Sequence, residues 1–209
     1  MPLTIDQLRS GISYWRSSTG WPADFHNHYY VHDLAPRLAA IRANGIFNQQ
    51  WWNRFLPVLQ DWQAVRPCSH AFLTSRAQAR LESLTANWAA TVAPHYADDI
   101  SGVEWHQLAA FPSLVGEIKD VSSPVFTAKF CHCLAPRIFP VVDNQAVGNP
   151  FPTYEAYFRA ARTEWLSTDS ATQDELIRLL TNEVRAPLFE GFPIKAKLIE
   201  LCMIGRRHG

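Results

Sequence analysis

Apolar residues recur at helical spacing in segment after segment of this chain, and this pattern limits the possible folds more than any other feature. The clearest stripe has spacings of four, four, four and three residues and consists of Phe47, Trp51, Phe55, Leu59 and Trp62. Such spacings place side chains on one face of an α-helix. Pro57 lies within the segment and predicts a kink or a division there. We interpret the stripe as a buried core face.

The same periodicity predicts helices along most of the chain. They cover residues 4–15, 34–44, 46–65, 75–93, 105–110, 124–134, 144–148, 154–166, 172–184 and 193–206. No run shows the sustained alternation of a half-buried strand, and residues 139–142 are too few to seed a sheet. The sequence therefore predicts an all-α fold, a single globular helical domain over residues 1–209. A two-lobed form with a central cleft is left open, with candidate lobe boundaries near residues 21–30 and 98–123.

Composition narrows the classes of partner. The 19 Lys and Arg residues balance the 19 Asp and Glu residues, so the whole molecule carries no basic field for nucleic acid or anionic lipid. No stretch approaches the roughly 20 apolar residues of a membrane helix, and the N-terminus lacks a secretory pattern. The four cysteines are too few and too scattered for a disulfide framework. We expect a cytoplasmic protein with reduced thiols and no membrane partner.

One apolar segment, residues 123–147, carries a lysine and an aspartate that could act together. Lys129 falls at the edge of an apolar helical stripe, where burial would lower the pKa of its amine and make it nucleophilic. Asp143 follows two valines and precedes helix-forming residues, which is an N-cap position. The structural alternative is a snorkelling surface lysine and an ordinary helix cap.

The order of features in this segment resembles the helix-hairpin-helix DNA glycosylase superfamily. A helix containing Thr127 and Ala128 is followed by an apolar run and then by Val142 and Asp143, which open another helix. The resemblance covers roughly residues 117–147 and places Asp143 on the family aspartate. Two features depart from the family pattern: residues 118–124 contain no glycine, and Phe126 occupies the position of the family's catalytic lysine, three residues before Lys129.

A narrower motif resembles small uncharacterised bacterial proteins of this general type. Its residues are Lys129, His132, Pro136, Phe139, Pro140 and Asp143. This second likeness supports the predicted fold and implies no reaction.

The resemblance implies a DNA-binding protein of base-excision repair that acts on a flipped nucleotide. Asp143 would stabilise the cationic sugar or activate a nucleophile, either water or the Lys129 amine. Phosphates would be held by helix N-termini and by Lys119, Arg137, Lys195, Lys197, Arg206 and Arg207. The alternative is a non-catalytic helical module that binds nucleic acid or a protein partner. Whether catalysis is retained stays open at this point, and no cofactor is implied.

A competing constellation near the N-terminus would favour a metal. His28 and His32 are four residues apart and would project from one helical face, with Asp24 or His26 to complete a ligand set. No Glu lies between the two histidines, as a metalloprotease helix would require. We therefore interpret them as hydrogen-bonded loop histidines, and no metal is predicted.

Overall fold

This computed structural model of the protein describes residues 1–18, 47–119, 124–148, 151–183 and 191–209. Within these ranges the regular secondary structure is entirely helical, without strands, and the helices pack into one domain. The predicted all-α fold is confirmed. The two-lobed glycosylase-like arrangement stays a prediction, and the candidate boundary at residues 21–30 and the helix predicted at 34–44 lie outside the described residues. None of the described helices is long and apolar enough to cross a bilayer.

The described α-helices are numbered here in chain order. They are α1 (Ile5–Ser18), α2 (Gln49–Asp61), α3 (His70–Gln78), α4 (Leu81–Asn87), α5 (Trp105–Leu108), α6 (Ala110–Lys119), α7 (Pro124–Leu134), α8 (Asn144–Val147), α9 (Tyr154–Leu166), α10 (Ser170–Glu183) and α11 (Ile194–His208). A π-helical turn, Trp88–Val92, and a 3-10 turn, Ala93–His95, continue α4.

Side-chain caps set where α1 and α2 begin. Thr4 and Gln7 form a reciprocal pair, because the Gln7 amide donates to Thr4 Oγ1 over 3.3 Å and the Thr4 amide donates to Gln7 Oε1 over 3.1 Å. Asn48 accepts from the Trp51 amide at the start of α2. Pro57 lies inside α2. The predicted core face of α2 is confirmed for Phe47, Trp51, Phe55 and Leu59, which are buried, whereas Trp62, the last residue of the stripe, is only partly buried.

The helix predicted at residues 75–93 is in fact two helices and a π-helical turn. The break falls after α3, where Arg80 leaves helical geometry with φ −126°. Its guanidinium donates to the Arg76 carbonyl and to the Glu117 carboxylate of α6. Both α3 and α4 pack against α6. The division therefore lets two short helices contact one neighbour, which periodicity alone does not indicate.

Helix α7 forms the centre of the core. All of its residues except Val125 are buried, including Lys129 and His132. The Phe130 ring lies 4.9 Å from the Phe55 ring, centroid to centroid, in an edge-on contact. Because the whole circumference of α7 is covered, its two basic side chains must find partners inside the protein.

The first and last described helices cross at two glycines. A methyl group on Gly11 of α1 would stand 1.9 Å from the Leu201 carbonyl oxygen, and one on Gly205 of α11 would stand 1.8 Å from the Gln7 carbonyl oxygen. No residue with a Cβ fits either position without moving a backbone. Helix α11 is thereby held against α1 along its length and covers α8 and α9 as well.

Candidate functional site

A buried loop, residues 135–143, carries the chain from α7 to α8 and is fixed by three hydrogen bonds. The Nδ1–H of His132 donates to the Phe139 carbonyl over 2.7 Å. The Tyr154 hydroxyl donates to the Pro140 carbonyl over 2.9 Å, and the Tyr157 hydroxyl donates to the Val141 carbonyl over 2.5 Å. Burial raises the pKa of both tyrosines well above the ordinary value, so both remain donors. The loop delivers Asp143 to a defined position.

Asp143 caps the short helix α8, as the sequence predicts. Its Oδ1 accepts from the Ala146 amide over 3.3 Å, and its carbonyl accepts from the Val147 amide over 2.8 Å. The side chain is 33% exposed. One oxygen is therefore engaged by the backbone while the carboxylate still reaches solvent.

The structure brings Lys129 to the inner side of this carboxylate. Its Nζ lies 4.0 Å from Asp143 Oδ2 and donates to the Trp62 carbonyl over 2.8 Å. The amine also lies 5.5 Å from the centroid of the Trp62 ring. The lysine side chain is only 8% exposed, so the alternative of a snorkelling surface residue is wrong. Burial lowers the pKa of Lys129, and the charges of Asp143 and Glu200 oppose this effect.

A second lysine–carboxylate pair lies nearby on α11. Lys197 Nζ and Glu200 Oε2 are 2.5 Å apart, and their side chains are 4% and 3% exposed. The Lys197 amine lies 5.3 Å from the centroid of the Trp15 ring. Burial raises the pKa of Glu200, while the Lys197 charge and hydrogen bond hold it down. The lysine was predicted to bind phosphate, yet its amine is enclosed with Glu200. Their spacing of three residues on one helix is the signal that could have revealed the pair.

His132 lies close to both pairs and is neutral. Its ring centroid is 5.7 Å from that of Trp62. Burial lowers the pKa of His132 to about 3, the hydrogen bond to Phe139 opposes the shift, and the Lys197 charge adds to it. A neutral imidazole in this place adds no charge beside the two amines.

Three further cations from the predicted phosphate-binding set hold other parts of the protein together. Lys119 donates to the Ala64 carbonyl over 2.7 Å and to the Arg66 carbonyl over 2.5 Å. Lys195 lies 2.7 Å from a carboxylate oxygen of Asp99. Arg206 makes two hydrogen bonds of 2.8 Å to the Glu164 carboxylate. These contacts occupy the three side chains in the described structure, and phosphate binding by them stays a prediction.

The remaining two predicted cations are Arg137, which lies near the start of α11, and Arg207, which lies in its last turn. The Arg207 guanidinium covers Gly148, because a Cβ on that glycine would stand 2.6 Å from an Arg207 nitrogen. The adjacent His208 Nε2–H donates to the Ala146 carbonyl of α8. Arg207 is thus the predicted cation that lies beside the helix capped by Asp143.

Arg137 lines a groove of about 160 Å³ near the start of α11. Asp99, Phe192 and Lys195 are among the other residues of this groove. In the described part of the chain, no carboxylate pairs with the Arg137 guanidinium. Two of the six predicted cations, Arg137 and Lys195, therefore share this groove, whereas Arg207 lies at the other end of α11.

The metal alternative finds no support in the described residues. No group of three or more His, Cys, Asp and Glu side chains in these ranges could hold a metal ion. His28 and His32 lie outside the described residues, so their interpretation as loop histidines stays a prediction.

The chemistry available at the site belongs to its carboxylate. An exposed carboxylate fixed by a backbone amide can take a proton from water or stabilise an adjacent cation. The Lys129 amine, enclosed and hydrogen-bonded to a carbonyl, can hold that carboxylate in place by charge.

Comparisons with protein-family models, with curated proteins and with solved structures found no match.

Proposed function

We propose that this protein binds DNA and hydrolyses the N-glycosidic bond of a flipped nucleotide, with Asp143 as the catalytic carboxylate. The observation that supports this proposal is the asymmetry of the Lys129–Asp143 pair. The carboxylate is one-third exposed and fixed, while the amine 4.0 Å behind it is enclosed. A substrate that approaches from solvent meets the carboxylate first.

The hydrolytic step balances with water as the only co-reactant. Asp143 accepts a proton from a water molecule, and the oxygen of that water molecule bonds to the anomeric carbon of the sugar. The bond from that carbon to the base nitrogen breaks, and its electron pair leaves with the base. The departing base takes a proton from solvent, and Asp143 returns its own proton to solvent. The carboxylate charge also stabilises the cationic sugar that develops in the transition state.

Lys129 acts in this proposal as a positioning residue. A Schiff base with the sugar would require the amine to leave the Trp62 carbonyl, 2.8 Å away, and to reach past Asp143. As a cation, the amine instead attracts the carboxylate, 4.0 Å away, and orients it. The geometry thus favours the water-using version of the reaction over the lyase version.

Base release from a panel of modified duplexes tests the proposal. We expect release from at least one duplex, and Asp143→Asn should lower its rate by about 100-fold or more. The matched control is Asp169→Asn, because Asp169 also caps a helix and accepts from the Thr172 amide over 2.9 Å. That variant should stay within about twofold of wild type. Equal rates for the two variants, or no release from any duplex, would refute the proposed reaction.

Borohydride trapping separates the two versions of the chemistry. Borohydride reduces an imine between an amine and an opened sugar to a permanent bond. We expect no covalent adduct between the wild-type protein and abasic DNA. An adduct that forms with wild type and is lost in Lys129→Ala would show that the protein uses lyase chemistry instead of hydrolysis.

A second candidate function is a non-catalytic helical module that binds nucleic acid or a protein. The observation in its favour is the engagement of three predicted phosphate-binding cations with carboxylates: Lys195 with Asp99, Lys197 with Glu200, and Arg206 with Glu164. DNA affinity depends largely on free, clustered cations. This candidate predicts binding without base release across the panel and an effect of Asp143→Asn on stability alone.

A further inference from the structure

We infer that the groove near the start of α11 binds a small monocarboxylate, with the Arg137 guanidinium as its anchor. The groove has a volume of about 160 Å³ and is lined by residues from three places: the segment before α5 that contains Asp99, the loop after α7, and residues 191–195. Asp143 does not line this groove, so binding here is independent of the reaction proposed above.

Arg137 brings a positive charge that the groove itself does not neutralise. Its carbonyl accepts from the Ile100 amide over 3.0 Å, which helps to fix the main chain at this position. The side chain is partly buried, and among the residues that the structure describes no carboxylate pairs with its guanidinium. A guanidinium presents its donors in a planar fork that matches the two oxygens of a carboxylate.

Asp99, the carboxylate among the described lining residues, is already engaged. Its Oδ2 lies 2.7 Å from Lys195 Nζ, and its Oδ1 accepts from the Ser101 amide over 2.9 Å and from the Ser101 hydroxyl over 2.5 Å. Burial raises the pKa of Asp99, but the hydrogen bonds from Lys195 and Ser101 outweigh burial and leave this pKa below its ordinary value. Asp99 therefore stays ionised and balances the charge of Lys195.

The charge and the size of the groove indicate the class of ligand. Arg137 and Lys195 are positive and Asp99 is negative, so one positive charge is left over. A carboxylate balances that charge, whereas a phosphate monoester carries about −1.5 to −2 at pH 7 and exceeds it. The volume is smaller than the roughly 300–1,000 Å³ of pockets for drug-sized ligands, which limits the ligand to a short chain.

The apolar residues of the lining suit such a chain. Phe192 is 8% exposed and belongs to the hydrophobic core, and Pro193 and Ile194 follow it in the lining. Gly191 has φ +83°, and a Cβ on it would meet no atom of the described residues within 4 Å, so there is open space beside it. A short aliphatic chain can therefore contact apolar atoms while its carboxylate meets Arg137.

An NMR titration of the isotope-labelled 209-residue chain with sodium propionate tests the inference. Propionate replaces chloride so that the ionic strength, and with it the screening of exposed charges, stays constant. We expect saturable shifts of the Gly191 and Lys195 amide signals and of the Arg137 Nε–H signal, complete by about 100 mM propionate. Propionate should bind about two- to fourfold more tightly than acetate, because one more CH₂ group leaves water.

Two substitutions of Arg137 separate its charge from its shape. Arg137→Gln removes both and should weaken propionate binding by at least about tenfold, whereas Arg137→Lys keeps the charge without the fork and should weaken it by about threefold. The matched control is Arg54→Gln, which makes the same substitution at an exposed position of α2. Its affinity should stay within about twofold of wild type, since exposed charges are screened. The amide spectra also establish that each variant is folded.

The titrations decide both the site and the ligand class. Saturable shifts that are lost in Arg137→Gln and kept in Arg54→Gln would support the inference. No saturation in wild type, or equal affinity of wild type and Arg137→Gln, would overturn it. Inorganic phosphate that bound the same residues more tightly than propionate would overturn the choice of a monocarboxylate and identify the groove as a phosphate site.

Discussion

Two lysine–carboxylate pairs lie close together in this protein, and one is closed while the other opens to solvent. Lys197 and Glu200 touch at 2.5 Å with almost no exposure, whereas Lys129 and Asp143 are 4.0 Å apart and the aspartate is one-third exposed. Each lysine amine also lies at a similar distance from the centroid of a tryptophan ring. The distance is 5.5 Å from Lys129 to Trp62 and 5.3 Å from Lys197 to Trp15. The pairs differ chiefly in what surrounds the carboxylate.

This difference shows that the same two types of residue can stabilise the fold at one position and be available for chemistry at another. Glu200 is on the same helix as its lysine, so both are buried when α11 packs against α1. Asp143 comes from a loop end, where a short helix begins at the surface of the core. A closed pair has no room for a substrate, and an open pair gives up part of its mutual attraction. We expect the following experiments to separate the two.

The largest effect should come from breaking the closed pair. Lys197→Met leaves the Glu200 carboxylate buried without its partner, and we expect a loss of about 3–5 kcal/mol in the free energy of unfolding. Urea denaturation at neutral pH measures the loss. The double variant Lys197→Met with Glu200→Leu should recover most of it, because no buried charge remains. A single variant as stable as wild type would contradict the assignment of a tightly coupled pair.

His132, which lies near both pairs, should control stability in mild acid. Its pKa of about 3 in the folded protein is below the ordinary 6.5, so the unfolded chain binds a proton that the folded protein refuses. Stability should therefore fall as pH drops from 6.5 towards 3, by about 1.4 kcal/mol per unit from this group. Between pH 6.5 and 5 that amounts to about 2 kcal/mol, which His132→Gln should remove.

Urea denaturation at the two pH values measures this dependence. His70→Gln is the matched control, because it makes the same substitution at an exposed position. If His132→Gln retained the full loss between pH 6.5 and 5, another buried group would have to be responsible.

Replacement of the lysine of the open pair should lower the free energy of unfolding by less than Lys197→Met does. Lys129→Met removes the hydrogen bond to the Trp62 carbonyl, and we expect a loss of about 1–2 kcal/mol. Asp143 keeps its contact with solvent, so no enclosed charge is left behind. Urea denaturation of Lys129→Met beside Lys197→Met gives the comparison directly. A loss as large as that of Lys197→Met would show that the Lys129 pair is also closed.

Alkaline titration of Lys129 supplies an independent check of its burial. The pKa of this amine is lowered from 10.5 in the folded protein, so the unfolded chain holds the proton to higher pH. The contribution of this group to stability should therefore rise as pH approaches 10.5 from below. Because Lys129→Met is expected to be the less stable protein at neutral pH, the denaturation midpoints of wild type and Lys129→Met should move further apart over that range. Parallel midpoints would contradict a lysine with a lowered pKa.

The smallest effect on stability should come from Asp143→Asn. Asparagine caps helices about as well as aspartate, so we expect a change of less than about 0.5 kcal/mol. Asp143→Ala should cost about 1 kcal/mol, since the Ala146 amide loses its acceptor. Thermal denaturation of both variants distinguishes them. A large loss in Asp143→Asn would indicate that the carboxylate charge serves mainly to balance Lys129.

Local pattern accounts for much of the fold. Spacing alone indicated the buried face of α2, and the caps of α1 and α8 follow from residue types within a few positions. Helix α6 was predicted only in its first residue. Its sequence, with Pro112 and Gly116 inside and buried residues on several sides, lacks the single apolar stripe that identifies a half-exposed helix.

The reliance of the prediction on local sequence patterns also explains which contacts of the site could be predicted. Lys129 and Asp143 lie in adjacent elements, so their meeting follows from a short loop, and the prediction rested on that closeness. The partners of Lys195 and Arg206 are on other helices or loops, with Glu164 42 positions from Arg206. Such pairings depend on the packing of whole helices, and composition gives no sign of them.

The crossing of Gly11 with α11 has a consequence for how the protein folds. Leu201, whose carbonyl oxygen approaches Gly11, belongs to α11, the last of the described helices. A chain emerging from the ribosome makes α1 long before α11, so the contact between these two helices cannot form until α11 has been synthesised. The same late helix supplies Lys197, Glu200 and the His208 contact to α8. Assembly of the site is therefore a step of folding that must wait for α11.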